Sequence, residues 1–102
     1  VDPIVGQRRP QIEALCRKYG LKRLELFGSA ARGDFDPNRS DFDFFYEFES
    51  DDWKGAADRF FGLLEDLQSL LGRKVDLVSL KAAKNPYFLE SANRSRITLY
   101  AA

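Results

Sequence analysis

The sequence predicts an α/β or α+β domain, and three observations lead there. Segments with period-two patterning alternate with segments whose apolar residues recur at helical spacing. Glycine or proline stands at most of the junctions between them. The chain has 102 residues, 44% of them apolar and 31% charged, which suits one packed core and argues against disorder. The expected organisation is a single domain over residues 1–102.

Pro10 suits the first turn of a helix and Gly20 its end. Between them Ile12, Leu15, Cys16 and Tyr19 form an amphipathic stripe, so the helix covers 10–19, with room for an earlier turn before Pro10. Cys16 falls on that stripe, where a packed thiol is expected rather than a reactive one. "LKRLELF", residues 21–27, reads as a strand. Gly28-Ser29 leads into "AARG", one short helical turn, and "GDFDPNRS" is a loop by composition.

Residues 41–48 form the second strand. Phe42, Phe44, Tyr46 and Phe48 share one face; Asp41, Asp43, Phe45 and Glu47 share the other. Ala56, Ala57, Phe60, Leu63, Leu64, Leu67, Leu70 and Leu71 make one stripe of a helix over about 55–71 that Gly72 ends. Asp51-Asp52 and Gly55 fit the loop before it. "KVDLVSL" is a third strand, Pro86 opens a helix through about 94, and "RITLY" is a last strand.

Composition excludes several functions. Sixteen basic and 16 acidic residues leave no net charge, so no direct nucleic-acid binding is expected. No apolar run approaches the ~20 residues of a membrane span. No secretory signal is visible, although the chain begins at Val1 and its natural start can lie earlier. A lone cysteine fits a reducing, cytoplasmic setting. Without any histidine there is no Ser-His-Asp triad, no Cys-His pair and no histidine-bearing zinc site. Catalysis has to use carboxylates, hydroxyls, basic groups or a metal held by oxygen.

Asp41 and Asp43 are the anomaly. Aspartate is depleted in strands. Residues i and i+2 share a face about 6–7 Å apart, and at an effective dielectric of ~20 two such carboxylates repel by roughly 2–3 kcal/mol. They are either a solvated acidic face or a cation site, because a divalent cation reverses the repulsion. Mg²⁺ is commonly held by one or two carboxylates plus substrate phosphates.

Gly28-Ser29 supplies a second element. Glycine permits close backbone approach, and a hydroxyl beside free N–H groups suits a phosphate. By itself Ser29 reads as an ordinary helix cap, and only together with the aspartates does the pair become a phosphate cradle. The lysine-serine ending of a P-loop is missing. A third carboxylate is expected, and Asp76 in "KVDLV" is the best candidate if its strand lies beside 41–48. Asp34, Asp36 and Glu47 are less suited.

With those residues in view, the chain resembles the minimal nucleotidyltransferase family of the DNA polymerase β superfamily. The pattern is Gly-Ser, a spacer of about ten residues, Asp-x-Asp or Asp-x-Glu, then a later strand aspartate. Here it reads "FGSAARGDFDPNRSDFDFFYEF" followed by "LLGRKVDLVSL", with a leading helix like "QIEALCRKYG" and an ending like "NPYFLESANRSRITLY". The position after the first aspartate is often aliphatic in the family, whereas this chain has Phe42. That departure changes packing, not the chemical groups.

The resemblance implies a polymerase β-like core, a mixed β-sheet with helices packed on one face. It implies Asp41, Asp43 and Asp76 as catalytic ligands of two Mg²⁺ ions, and Gly28 and Ser29 as holders of the phosphates of ATP. Asp76 would also take the acceptor's proton. Arg32 is assigned to nucleotide binding as well; the alternatives are that it reaches a phosphate, braces the loop or sits in solvent. Lys81, Lys84, Arg94 and Arg96 read as a basic rim or as scattered surface charge, and Phe45 as packing behind the site.

The family transfers a nucleoside monophosphate, here AMP, to a hydroxyl. Similar short proteins of bacteria and archaea pair with a HEPN-domain toxin, which the resemblance gives as partner, with a tyrosine as acceptor. A bare core implies that the acceptor brings its own surface or that homo- or hetero-oligomerisation builds the pocket. The aromatics Trp53, Phe60-Phe61, Tyr87-Phe88 and Tyr100 serve either such an interface or the core. Two other functions stay open: a non-catalytic nucleotide-binding antitoxin, and a small-molecule nucleotidyltransferase.

Overall fold

A computed structural model of the chain describes residues 3–33, 41–50, 52–83, 85–93 and 95–102. Asp34, Asp36, Ser40, Asp51, Lys84 and Arg94, all considered above, lie outside the described residues, as do the side chains of Tyr87 and Phe88. Five helices and four strands occur among those described. They run α1 Pro3–Gln7, α2 Arg9–Lys18, β1 Leu21–Phe27, α3 Ser29–Arg32, β2 Phe42–Phe48, α4 Ala56–Leu71, β3 Val75–Ser79, α5 Pro86–Asn93 and β4 Ile97–Ala101.

The sheet has the order β3-β2-β1-β4. β1 pairs antiparallel with β2 and β4, while β3 lies parallel to β2. The parallel pair follows from connectivity: α4 carries the chain back between two strands of the same direction. The expected mixed sheet is therefore present, and each anticipated element falls within one or two residues of its predicted bounds.

The principal core lies between one sheet face and α1, α2 and α4. Phe42 and Phe44 of β2 and Leu24 and Leu26 of β1 meet Ile12 and Cys16 of α2 and Leu63, Leu67 and Leu71 of α4. Period-two alternation on the strands and the 3–4 spacing on the helices converge on this one layer. Burial pushes the Cys16 thiol up to about 12, so it is packing, as its stripe position predicts. α2 and α4 approach closely at Gly62, where an added Cβ would stand 2.7 Å from the Tyr19 ring. The Tyr19 hydroxyl donates to Asp66 one turn further along α4.

The opposite sheet face carries the charges and a smaller apolar cluster. Phe27 and Phe45 stack there at 4.2 Å between ring centroids. Val78 of β3 and Leu89 of α5 pack against them. Phe45 is fully buried, consistent with packing behind the site and not with stacking on a ligand base.

Candidate active site

The sheet register assembles the three aspartates. Asp43 is the partner of both Phe27 on β1 and Asp76 on β3. Asp41 sits just before β2, and the Phe42 N–H donates to the Lys74 carbonyl at 3.1 Å, which ties the starts of β2 and β3 together. The carboxylates thus share the N-terminal ends of two parallel strands, on the face away from the main core.

Electrostatics reports their closeness. The Asp43 carboxyl is pushed up to about 6, first by burial, then by the charges of Asp76 and Asp41 and a hydrogen bond with Asp76, with Arg32 opposing. Asp43 is half-buried, whereas Asp76 is exposed. The Lys74 ammonium lies 3.9 Å from Asp41.

Gly28 completes the floor of the site. Its φ of +76° lies in the region L side chains rarely adopt, and an added Cβ would stand 2.6 Å from an Asp43 carboxylate oxygen. Glycine is required on both counts. The backbone turns there from β1 into α3, bringing Ser29 and Arg32 to the same end of the sheet. Gly28 occupies the cap position of α3 and no side chain caps the helix. Ser29 is its first residue, so the reading of Ser29 as a capping serine is corrected. The Ala31 and Arg32 N–H groups donate to the Gly28 carbonyl, which leaves those of Ser29 and Ala30 without an acceptor inside the turn. Gly28, Ser29, Arg32, Asp41, Asp43 and Asp76 are thereby gathered at one end of the sheet.

The donor set can be tested for a cation. Among the described residues no three acidic or cysteine side chains form a ready-made metal cage. Two facing carboxylates with a third beside them, one holding its proton to about pH 6, are a site short of positive charge. Hard oxygen donors in this number fit Mg²⁺ whose coordination is completed by substrate phosphates and water, not an all-protein site.

Two features went unread in the sequence. Glu25, next but one to Phe27 on β1, is buried. Arg96 donates to it from Nε at 2.8 Å and again from Nη2, and Thr98 donates from Oγ1 at 3.0 Å. The Arg96 guanidinium also lies over the Phe45 ring at 5.0 Å and donates to Asn93 of α5. Arg96 is therefore neither rim nor scattered charge, but the brace of the Phe27–Phe45 stack beside Asp43. Lys74 is the second, and its contact with Asp41 follows from the β2–β3 register.

Of the aromatics singled out, Trp53 is 79% and Phe61 58% exposed, while Phe60 packs on Tyr46. Tyr46, Phe48, Phe60, Phe61 and Lys81 line a groove of about 470 Å³ at the other end of β2 from the aspartates. No helix among the described residues is long and apolar enough to cross a membrane.

Known proteins share this fold. The model of the nucleotidyltransferase domain family matches residues 9–99. A Methanocaldococcus jannaschii protein, provisionally named a protein adenylyltransferase, is 38% identical over 89 residues, which is 87% of each chain. A solved structure of a provisionally assigned minimal nucleotidyltransferase is 32% identical with a TM-score of 0.74, covering 95% of each chain. A toxin–antitoxin structure with AMP-PNP contains a chain 25% identical with a TM-score of 0.70, covering 92% of this chain and 73% of that one. On the match over most of its length, the chain belongs to the nucleotidyltransferase domain family, as a minimal nucleotidyltransferase.

Proposed function

We propose that this nucleotidyltransferase transfers AMP from Mg·ATP to a tyrosine hydroxyl of a HEPN-type toxin, and so acts as the antitoxin of the pair. The observation that carries the reading is the register match of Asp43 with Asp76, beside Asp41 and over Gly28. The relative named as a protein adenylyltransferase supports AMP and a protein acceptor. The neighbour from a toxin–antitoxin structure with AMP-PNP supports an adenine nucleotide and a toxin–antitoxin pairing.

In this reading Asp41, Asp43 and Asp76 would be the residues that hold Mg²⁺. Bound Mg²⁺ supplies charge compensation to the attacking and leaving oxygens, which is most of what an in-line transfer at phosphorus requires. Gly28 lets the phosphates approach the backbone, and Ser29 donates its hydroxyl to a phosphate oxygen. Arg32 steadies the same phosphates by charge. Asp76 accepts the proton of the attacking tyrosine hydroxyl, whose oxygen bonds to the α-phosphorus as pyrophosphate departs. Glu25 and Arg96 keep the Phe27–Phe45 stack, and with it β2, in place.

Incubation of the protein with ¹⁴C-adenine-labelled ATP, Mg²⁺ and the HEPN-type partner tests this. Label on the partner, located to tyrosine by peptide mapping and lost with EDTA, is the expected outcome. A partner left unlabelled under saturating Mg·ATP contradicts it.

A further inference from the structure

We infer that Lys74 is a displaceable counter-ion of the carboxylate cluster, which moves to the phosphates of the nucleoside triphosphate when a divalent cation takes its place. The inference rests on the proposed Mg·nucleotide site. Its backbone is fixed: the Lys74 carbonyl accepts from Phe42 N–H at 3.1 Å, one residue ahead of the Phe42–Val75 pair. Its side chain is not. It is 68% exposed, and its ammonium touches Asp41 only at 3.9 Å.

An exposed pair at that separation is weak and easily exchanged. A cation bound to Asp41 cancels the attraction that holds the ammonium there. The released group sits on a four-carbon stem at the rim of the site, on the β3 side. Arg32 exerts its charge on Asp43 from the α3 side. A triphosphate entering a site lined by three carboxylates meets repulsion, and two flanking cations offset it. Lysine suits the role because its ammonium is a mobile point charge, free of the fixed fork of arginine.

This exchange has a signature that a structural role lacks, because the two ligands respond in opposite directions. In the Lys74→Gln protein, Mn²⁺ alone, followed by its EPR signal, is expected to bind about two- to fivefold more tightly, the range of an exposed ion pair. AMP-PNP with Mg²⁺, followed by calorimetry, is expected to bind about two- to fivefold more weakly. Lys74→Arg should restore the nucleotide affinity in large part.

Unchanged binding of both ligands, or changes of the same sign, overturns the inference while the site stands. Absence of Mn²⁺ and AMP-PNP binding in the unsubstituted protein overturns the site and the Lys74 role together. Without ligand the Lys74→Gln protein should melt at most a few degrees lower, the cost of one exposed pair.

Discussion

Replacing Asp43 by asparagine is expected to stabilise the metal-free protein at neutral pH. The folded protein keeps the Asp43 proton to about pH 6, against an ordinary value of 3.8, because burial, Asp76 and Asp41 all disfavour the charge. A folded value above the unfolded one gives stabilisation that is complete below 3.8 and lost as pH rises through 6. The gap corresponds to about 3 kcal/mol. Partial burial lets solvent screen the charges, which leaves about 1–2 kcal/mol. Asparagine never ionises, so it avoids this loss. For a domain of this size the gain is about 5–10 °C in Tm at pH 7.5, shrinking to little by about pH 3.5. Thermal melts in EDTA across that range measure it. An Asp43→Asn protein that melts below the parent at pH 7.5, or a pH profile parallel to the parent's, would refute the crowding of carboxylates at this site.

Three further substitutions probe the surroundings. Ser29→Ala should leave the melting temperature nearly unchanged, within about 0.5 kcal/mol, because Ser29 caps nothing. Calorimetry with Mg·AMP-PNP should nevertheless show weaker binding; a large stability loss with normal binding would return Ser29 to a structural role. Gly28→Ala should cost about 1–3 kcal/mol through its positive φ and drive Asp43 from its position, visible as a lower Tm together with impaired nucleotide binding. Glu25→Ala leaves the Arg96 guanidinium without its buried carboxylate and should cost about 3 kcal/mol in urea unfolding, whereas Glu25→Leu with Arg96→Leu should recover much of it.

The local elements were legible because local rules govern them. Alternation on 41–48 separates Phe42 and Phe44 from Asp41 and Asp43, and the structure buries the first pair and gathers the second. The α4 stripe is legible for the same reason, although Ala57 at its start is exposed. Strand order is a different matter. That β3 lies beside β2 depends on how α4 packs across the sheet, and only this neighbour relation brings Asp76 to Asp43. Lys74 was missed for the same reason.

Long-range pairing accounts for the remaining surprises. Arg96 reads as a surface charge until β4 is laid against β1, which puts it on Glu25, 71 residues away in sequence. Glu25 sits in an alternating strand where a solvent-facing charge is the ordinary assignment, yet Arg96 and Thr98 cover it. Ser29 precedes a helix-forming stretch as a cap would, but the cap position falls on Gly28, with its positive φ, and the helix starts one residue earlier, at Ser29.

The central claim is that the aspartate cluster transfers AMP to the toxin rather than merely binding it. The most direct test sets the parent protein beside the triple variant Asp41→Asn, Asp43→Asn, Asp76→Asn. Each is incubated with the HEPN-type partner and Mg·ATP, the partner's intact mass is measured, and its toxic activity is assayed after the two proteins are separated. The account predicts an AMP adduct on the partner and lasting loss of its activity with the parent. The triple variant, folded and still able to dock, should give neither. Full neutralisation by the triple variant, with no adduct from the parent, would contradict the account and leave an antitoxin that works by binding alone.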